Sequence, residues 1–164
     1  MKSKTIILLV LLILTTSISF SQEQSKRQAV YLELGGSGII GSVNYDFRFK
    51  PGNDGLGMRT GFGYLPDVLV FPIELNGLIG KNKIAFEYGA GISAAVYLNN
   101  VSNDLAFSNG NENLGCILFA KAGIRITPKK NGLFFNFHWN PVVNSEETRW
   151  AWFGLGIGYS WKKK

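Results

Sequence analysis

Large apolar residues alternate with small or polar ones along most of the chain, with a period of two. The stretch from Trp152 to Trp161 is the clearest. Phe153, Leu155, Ile157, Tyr159 and Trp161 fall on one face, and Gly154, Gly156, Gly158 and Ser160 on the other. A helix would scatter both sets around its circumference, whereas a strand sorts them, because successive side chains point to opposite faces. Val43, Tyr45, Phe47 and Phe49 likewise oppose Ser42, Asn44, Asp46 and Arg48, and Leu133, Phe135, Phe137 and Trp139 oppose Phe134, Asn136, His138 and Asn140. Five noisier segments, within 30–34, 56–64, 69–76, 84–93 and 118–127, follow the same rule and bring the total to eight.

The connections alternate too. After the second, fourth and sixth segments they are tight and polar, over 51–55, 80–83 and 128–132, with the glycine, asparagine or proline that reversals need. On the other side stand 35–38, 66–68, the long 99–113, and 144–149. This pattern predicts an all-β fold: an eight-stranded antiparallel up-and-down transmembrane β-barrel, with short periplasmic turns, outer loops of more variable length and both termini in the periplasm.

The first 21 residues stand apart from the strands. Lys2 and Lys4 precede an apolar core from Ile6 to Leu14, and Ser19 and Ser21 occupy the two positions a signal peptidase reads. A signal peptide over 1–21 is expected, then a short polar segment over 22–28 and the barrel over 29–164. One cysteine, Cys116, excludes an internal disulfide, so stability must come from sheet closure and membrane burial. At the start of the sixth strand, Cys116 reads as a small packed residue. Without Lys2 and Lys4 the formal charge falls from +6 to +4, and much of what remains sits on Lys81, Lys83, Lys129, Lys130 and Lys162 to Lys164. These are turn and terminus positions rather than one basic face, which argues against a nucleic-acid partner.

Two all-β readings invert one another. A secreted soluble barrel points its apolar face inward around a ligand, and a membrane barrel points it outward. Side-chain size decides, because eight strands enclose an interior only just wide enough for side chains to fill. Phe, Tyr, Trp, Leu and Ile from every strand would overfill it, whereas the glycine-rich face leaves room for a few long polar residues. Those are Glu33, Asp46, Glu74 and Glu87 against Arg48, Arg59, Lys121 and Arg125, a set whose formal charges cancel. Interior charges are tolerated when paired, so these residues predict a hydrogen-bonded lumen network that plugs the barrel. Tyr64, Trp139, Trp150, Tyr159 and Trp161 suit aromatic girdles at the two interfaces.

The sequence offers little chemistry. His138, the single histidine, joins the lumen set between Asn136 and Asn140. No serine and acid share a spacing with it that nucleophilic catalysis would use, and no G-x-S-x-G signature occurs. No metal-ligand pair and no cofactor motif is present; Gly35, Gly36 and Gly38 lack the helix and lysine of a phosphate-cradling loop and read as a tight reversal. The long loop 99–113, with Leu105 and Phe107 at its centre, is the candidate interaction surface. The reading that results is a non-enzymatic, non-channel barrel of the bacterial outer membrane with a structural or surface-interaction role, its loops meeting lipopolysaccharide or a partner. The alternatives are a lipid-modifying enzyme in the same fold, with His138 as candidate base, and the soluble ligand-binding barrel.

The stretches SVNYDFRF from Ser42, GMRTGFGYLP from Gly57, IELNGLIGKNK from Ile73, FEYGAGISAAVY from Phe86 and the closing FGLGIGYSW together resemble small outer-membrane β-barrel proteins of Bacteroidetes-type bacteria. The resemblance covers nearly all of the chain after the signal and implies location and fold rather than activity. It also implies insertion by the barrel-assembly machinery, which reads a terminal aromatic; here Lys162 to Lys164 follow Trp161.

Overall fold

A computed structural model describes residues 26–65, 68–80, 82–98, 114–143 and 148–163. The expected signal peptide and the loop that contains Leu105 and Phe107 lie outside them. Ten strands are present among the described residues: β1 (Lys26–Gly35), β2 (Gly41–Pro51), β3 (Gly55–Leu65), β4 (Val68–Ile79), β5 (Ile84–Tyr97), β6 (Leu114–Ile126), β7 (Gly132–Trp139), β8 (Val142–Val143), β9 (Thr148–Arg149) and β10 (Phe153–Lys163). Each long strand pairs antiparallel with the next, and β1 pairs with β10, so the sheet closes on itself.

The count reduces to eight staves. Ala122 pairs with Trp139 in β7 and Leu118 with Val143 in β8, which is one unbroken register, and the Ala120 amide donates to the Pro141 carbonyl at 3.1 Å between them. Proline lacks the amide that would continue the ladder, so β7 and β8 are one strand interrupted at Asn140–Pro141. β9 and β10 form the other interrupted stave: Val142 faces Arg149 but Trp139 faces Phe153, a shift of one residue. The result is a closed, eight-strand, antiparallel β-barrel without an α-helix among the described residues.

The two faces divide as the alternation requires. Leu32 is 59% exposed and Ile157 48%, and their exposed neighbours include Leu34, Val43, Phe62, Ile73, Phe86 and Phe135. Glu33, Asn44, Asp46, Arg59, Glu74, Glu87 and His138 are buried inside. Tyr64, Trp139 and Trp150 lie toward the end that carries the loops, and Tyr159 and Trp161 toward the end that carries the termini. Cys116, expected to be packed, is on the outward face and exposed.

One strand start and one connection differ from their sequence reading. β1 begins at Lys26 rather than at 29, which brings Arg27 into the barrel. The β1–β2 connection is not a simple surface reversal. Gly36 to Gly38 form a 3-10 turn, and these residues and Ile39 are buried. The turn folds into the mouth of the barrel, where Ser93 Oγ and Trp152 Nε1 donate to the Ser37 and Gly36 carbonyls, each at 2.8 Å.

A candidate functional site in the lumen

Glycine placement makes the lumen. Across the strand pairs, Arg48 faces Gly57, Asn44 faces Gly61, and Glu74 faces Gly91. Glu87 faces Gly123, Tyr31 faces Gly158, and His138 is flanked by Gly123 and Gly154. Directly opposed side chains stand about 5 Å apart at Cβ, so a long residue can lie across the barrel only where its neighbour has no side chain. A Cβ on Gly89 would meet Glu74 Oε1 at 2.6 Å, and one on Gly91 would meet the Phe119 ring at 2.7 Å. The exceptions are polar or charged pairs: Arg59 faces Asp46 on one side and Glu74 on the other, Arg125 faces Asn136, and Tyr31 faces Asn44.

The nine residues that the alternation placed inside form one continuous chain, eight of them alternating in charge and the His138 imidazole at one end. His138 Nε2 lies 2.8 Å from Glu33 Oε1, and Glu33 also accepts from Arg59, whose Nη1 reaches it at 3.2 Å. Arg59 continues to Glu74 at 2.9 Å, Glu74 to Lys121 at 3.3 Å, and Lys121 to Glu87 at 3.5 Å. Glu87 meets Arg125 at 3.4 Å, Arg125 meets Asp46 at 3.3 Å, and Asp46 meets Arg48 at 2.6 Å. Every acid therefore stands between two bases, counting the imidazole as one. Asparagines fill the remaining valences: Asn44 Oδ1 accepts from Arg59 at 2.8 and 3.0 Å, Asn76 Nδ2 donates to Asp46 at 2.7 Å, and Asn136 Nδ2 donates to Glu87 at 3.4 Å. Paired in this way, buried charges escape most of the several kcal/mol that an isolated one costs.

Three features of the lumen were not read from the sequence. Arg27 is buried and adds a fifth base to the four acids, so the interior set is not neutral. It donates to Ser160 Oγ and to the Lys129 and Lys130 carbonyls at 3.2 and 3.4 Å. Tyr31 and Phe134 meet edge to face at 5.2 Å between the guanidinium groups of Arg59 and Arg125, which lie 5.4 and 4.4 Å from their respective ring centres. Toward the loop end the interior turns apolar, with Ile39, Val70, Ile117, Phe119 and Val142 packed together beneath the inward turn. Period-two reading places Tyr31 and Phe134 on the inward face but gives no sign that they meet; the apolar cap has no signal, because there both faces are apolar.

The termini end differs from its sequence reading as well. The lysines of the turns and termini read as dispersed in the sequence, but in an up-and-down barrel the described 51–55, 82–83 and 127–131 connections, the start of β1 and the end of β10 fall at one pole. They make a single basic rim.

No protein-family model matches the chain, and no curated protein matches it. Among solved structures, the crystal structure of the N-terminal β-barrel domain of Pseudomonas aeruginosa OprF is similar, with a TM-score of 0.58 and 14% sequence identity over 86% of this chain and 100% of that one. At that identity the likeness speaks to the fold.

Proposed function

We propose that this protein is a non-channel barrel of a bacterial outer membrane, exported by its first 21 residues and serving a structural or surface-interaction role rather than catalysing a reaction. One observation carries the reading: charged side chains are buried and large apolar ones exposed all round the barrel, the inverse of a water-soluble fold. An apolar belt of this extent needs a solvent as apolar as itself.

Two aspects of the lumen support the remainder. The ion-pair chain crosses the interior from strand to strand, and the Gly36–Gly38 turn with its apolar cluster lies across the loop end, an arrangement that supports a plugged interior. Nucleophilic catalysis orders its groups with the histidine between nucleophile and acid. Here the acid is in the middle: Ser42 Oγ donates to Glu33 Oε2 at 3.4 Å while His138 approaches Glu33 Oε1 at 2.8 Å. His138 thus serves as one end of the ion-pair chain. Lipopolysaccharide or a partner would then be met by the loops.

Fractionation and conductance test the reading together. The protein should resist extraction by alkaline carbonate, need detergent for solubilisation, and migrate differently on gels with and without boiling. In planar bilayers it should give no unitary current steps. Recovery in a soluble periplasmic extract would sink the membrane reading, and reproducible ion steps would sink the plug.

A further inference from the structure

The basic rim has a definite centre. On the seam that closes the barrel, Lys26 pairs with Lys163 and Arg27 with Lys162. Like charges set directly opposite one another destabilise a strand pair, yet two such pairs stand in succession. Asp54 is the one acid described at this pole.

The seam is also built to gather more positive charge. The buried Arg27 guanidinium, by donating to the Lys129 and Lys130 carbonyls, ties the β6–β7 turn to β1, and the Lys162 amide ties it to β10 by donating to Asn131 Oδ1 at 3.0 Å. The exposed Lys129 and Lys130 are thereby held beside the exposed Lys162 and Lys163. A buried base spent on two carbonyls of a dilysine turn has little purpose for the lumen and an evident one for the rim.

The outward rows identify the occupant. Along β10 the row runs Ile157, Tyr159, Trp161, Lys163, and along β1 it runs back from Leu32 through Val30 and Gln28 to Lys26. Aliphatic, then aromatic, then cationic is the order that side chains adopt from the hydrocarbon to the headgroup level of a bilayer. Lys26 and Lys163 end the outward rows, just beyond the apolar belt, the level at which the membrane reading puts the lipid phosphates. We propose that the lysines of the β1–β10 seam, Lys26, Lys129, Lys130, Lys162 and Lys163, bind the phosphates of anionic phospholipids in the leaflet nearest the chain termini. The site rests on the membrane reading above.

The test uses the full chain in lipid nanodiscs of phosphatidylcholine and phosphatidylglycerol in equal parts, with lipid retention read by native mass spectrometry. Phosphatidylglycerol should be retained over phosphatidylcholine, and the preference should fall about fivefold for each lysine replaced at low salt. K129Q/K130Q/K162Q/K163Q should therefore abolish it while still shifting on unboiled gels. Arg27→Gln, which changes no exposed charge, should weaken it by releasing the turn. Should the quadruple variant fail to fold, raising the salt on the unaltered protein is the substitute, since screening should erase the preference. Equal retention of the two lipids by the unaltered protein, or a folded quadruple variant with undiminished preference, overturns the site. Displacement by inorganic phosphate at concentrations matching the lipid overturns it too, because it would show a free-anion site. Failure of the unaltered protein to enter these nanodiscs overturns the membrane reading, and the site with it.

Discussion

Glu87 shows how far each lumen charge depends on its neighbours. Its carboxylate faces Lys121 at 3.5 Å, Arg125 at 3.4 Å and the Asn136 amide at 3.4 Å, all without access to water. Glu87→Ala leaves Lys121 to Glu74 alone and Arg125 to Asp46 alone, so two buried bases each lose a partner. Breaking a buried pair from one side costs about 3–5 kcal/mol, and the urea midpoint of the folded barrel in detergent should fall accordingly. Glu87→Gln keeps the volume and an acceptor for Asn136 and should lose less. An unchanged midpoint for the alanine variant would remove Glu87 from the network. At this scale much was legible in the sequence, since strict alternation in 42–49 and 133–140 put Asp46, Arg48, Asn136 and His138 on one face before any contact was known. What it withheld was partnership, because which acid meets which base depends on register and reach across the lumen. It also withheld Arg27, which lies in a run too polar to look like a strand.

Among the elements, the staves owe their coiling to glycines on the inward face, and those positions differ sharply in tolerance. Gly91 faces Glu74 on one side and Phe119 on the other, and a Cβ there would meet Glu74 Cα at 2.8 Å, where backbone cannot give way. Gly41, at the start of β2, would bring its Cβ no closer than 3.8 Å to any neighbour, and its φ is ordinary. The same substitution should therefore have opposite outcomes. Gly91→Ala overpacks the wall and should lose about 1–3 kcal/mol, seen as a smaller folded band on unboiled gels; Gly41→Ala should leave that band intact. Comparable bands would mean that the wall adjusts to the added methyl. Strand existence and hairpin order were readable from the period and the turn residues, but the inward turn at Gly36–Gly38 was not. Its burial depends on contacts from Ser93 and Trp152, far off in the chain, and on Ile39, which accepts φ 71° and ψ −80°, a region disfavoured for a β-branched residue. The apolar cluster of Val70, Ile117, Phe119 and Val142 that receives Ile39 offsets that strain.

For the whole molecule, the decisive property is the medium that the outward face meets, and one belt position distinguishes lipid from water. Ile157 lies midway along β10, between Leu32 on β1 and Phe135 on β7, and all three are exposed. In a soluble barrel an exposed isoleucine changed to arginine has no packing to lose, and such surface changes stay within about 0.5 kcal/mol. In a bilayer the same guanidinium enters the hydrocarbon near its midplane, at a penalty of about 2–4 kcal/mol. Ile157→Arg should therefore destabilise the protein folded in phospholipid vesicles by that amount, while Lys163→Arg, beyond the aromatic Trp161 at the end of the same row, should be neutral. Reversible unfolding in guanidinium, with both variants and the unaltered chain in the same vesicles, gives the comparison. Ile157→Arg as stable as the parent would mean that water covers the belt, and the exposed apolar face would then need a protein partner to hide it. A penalty confined to Ile157 would tie the inverted distribution of charge and apolar surface to the membrane itself, since a soluble fold gives no reason for an exposed isoleucine to resist a charge.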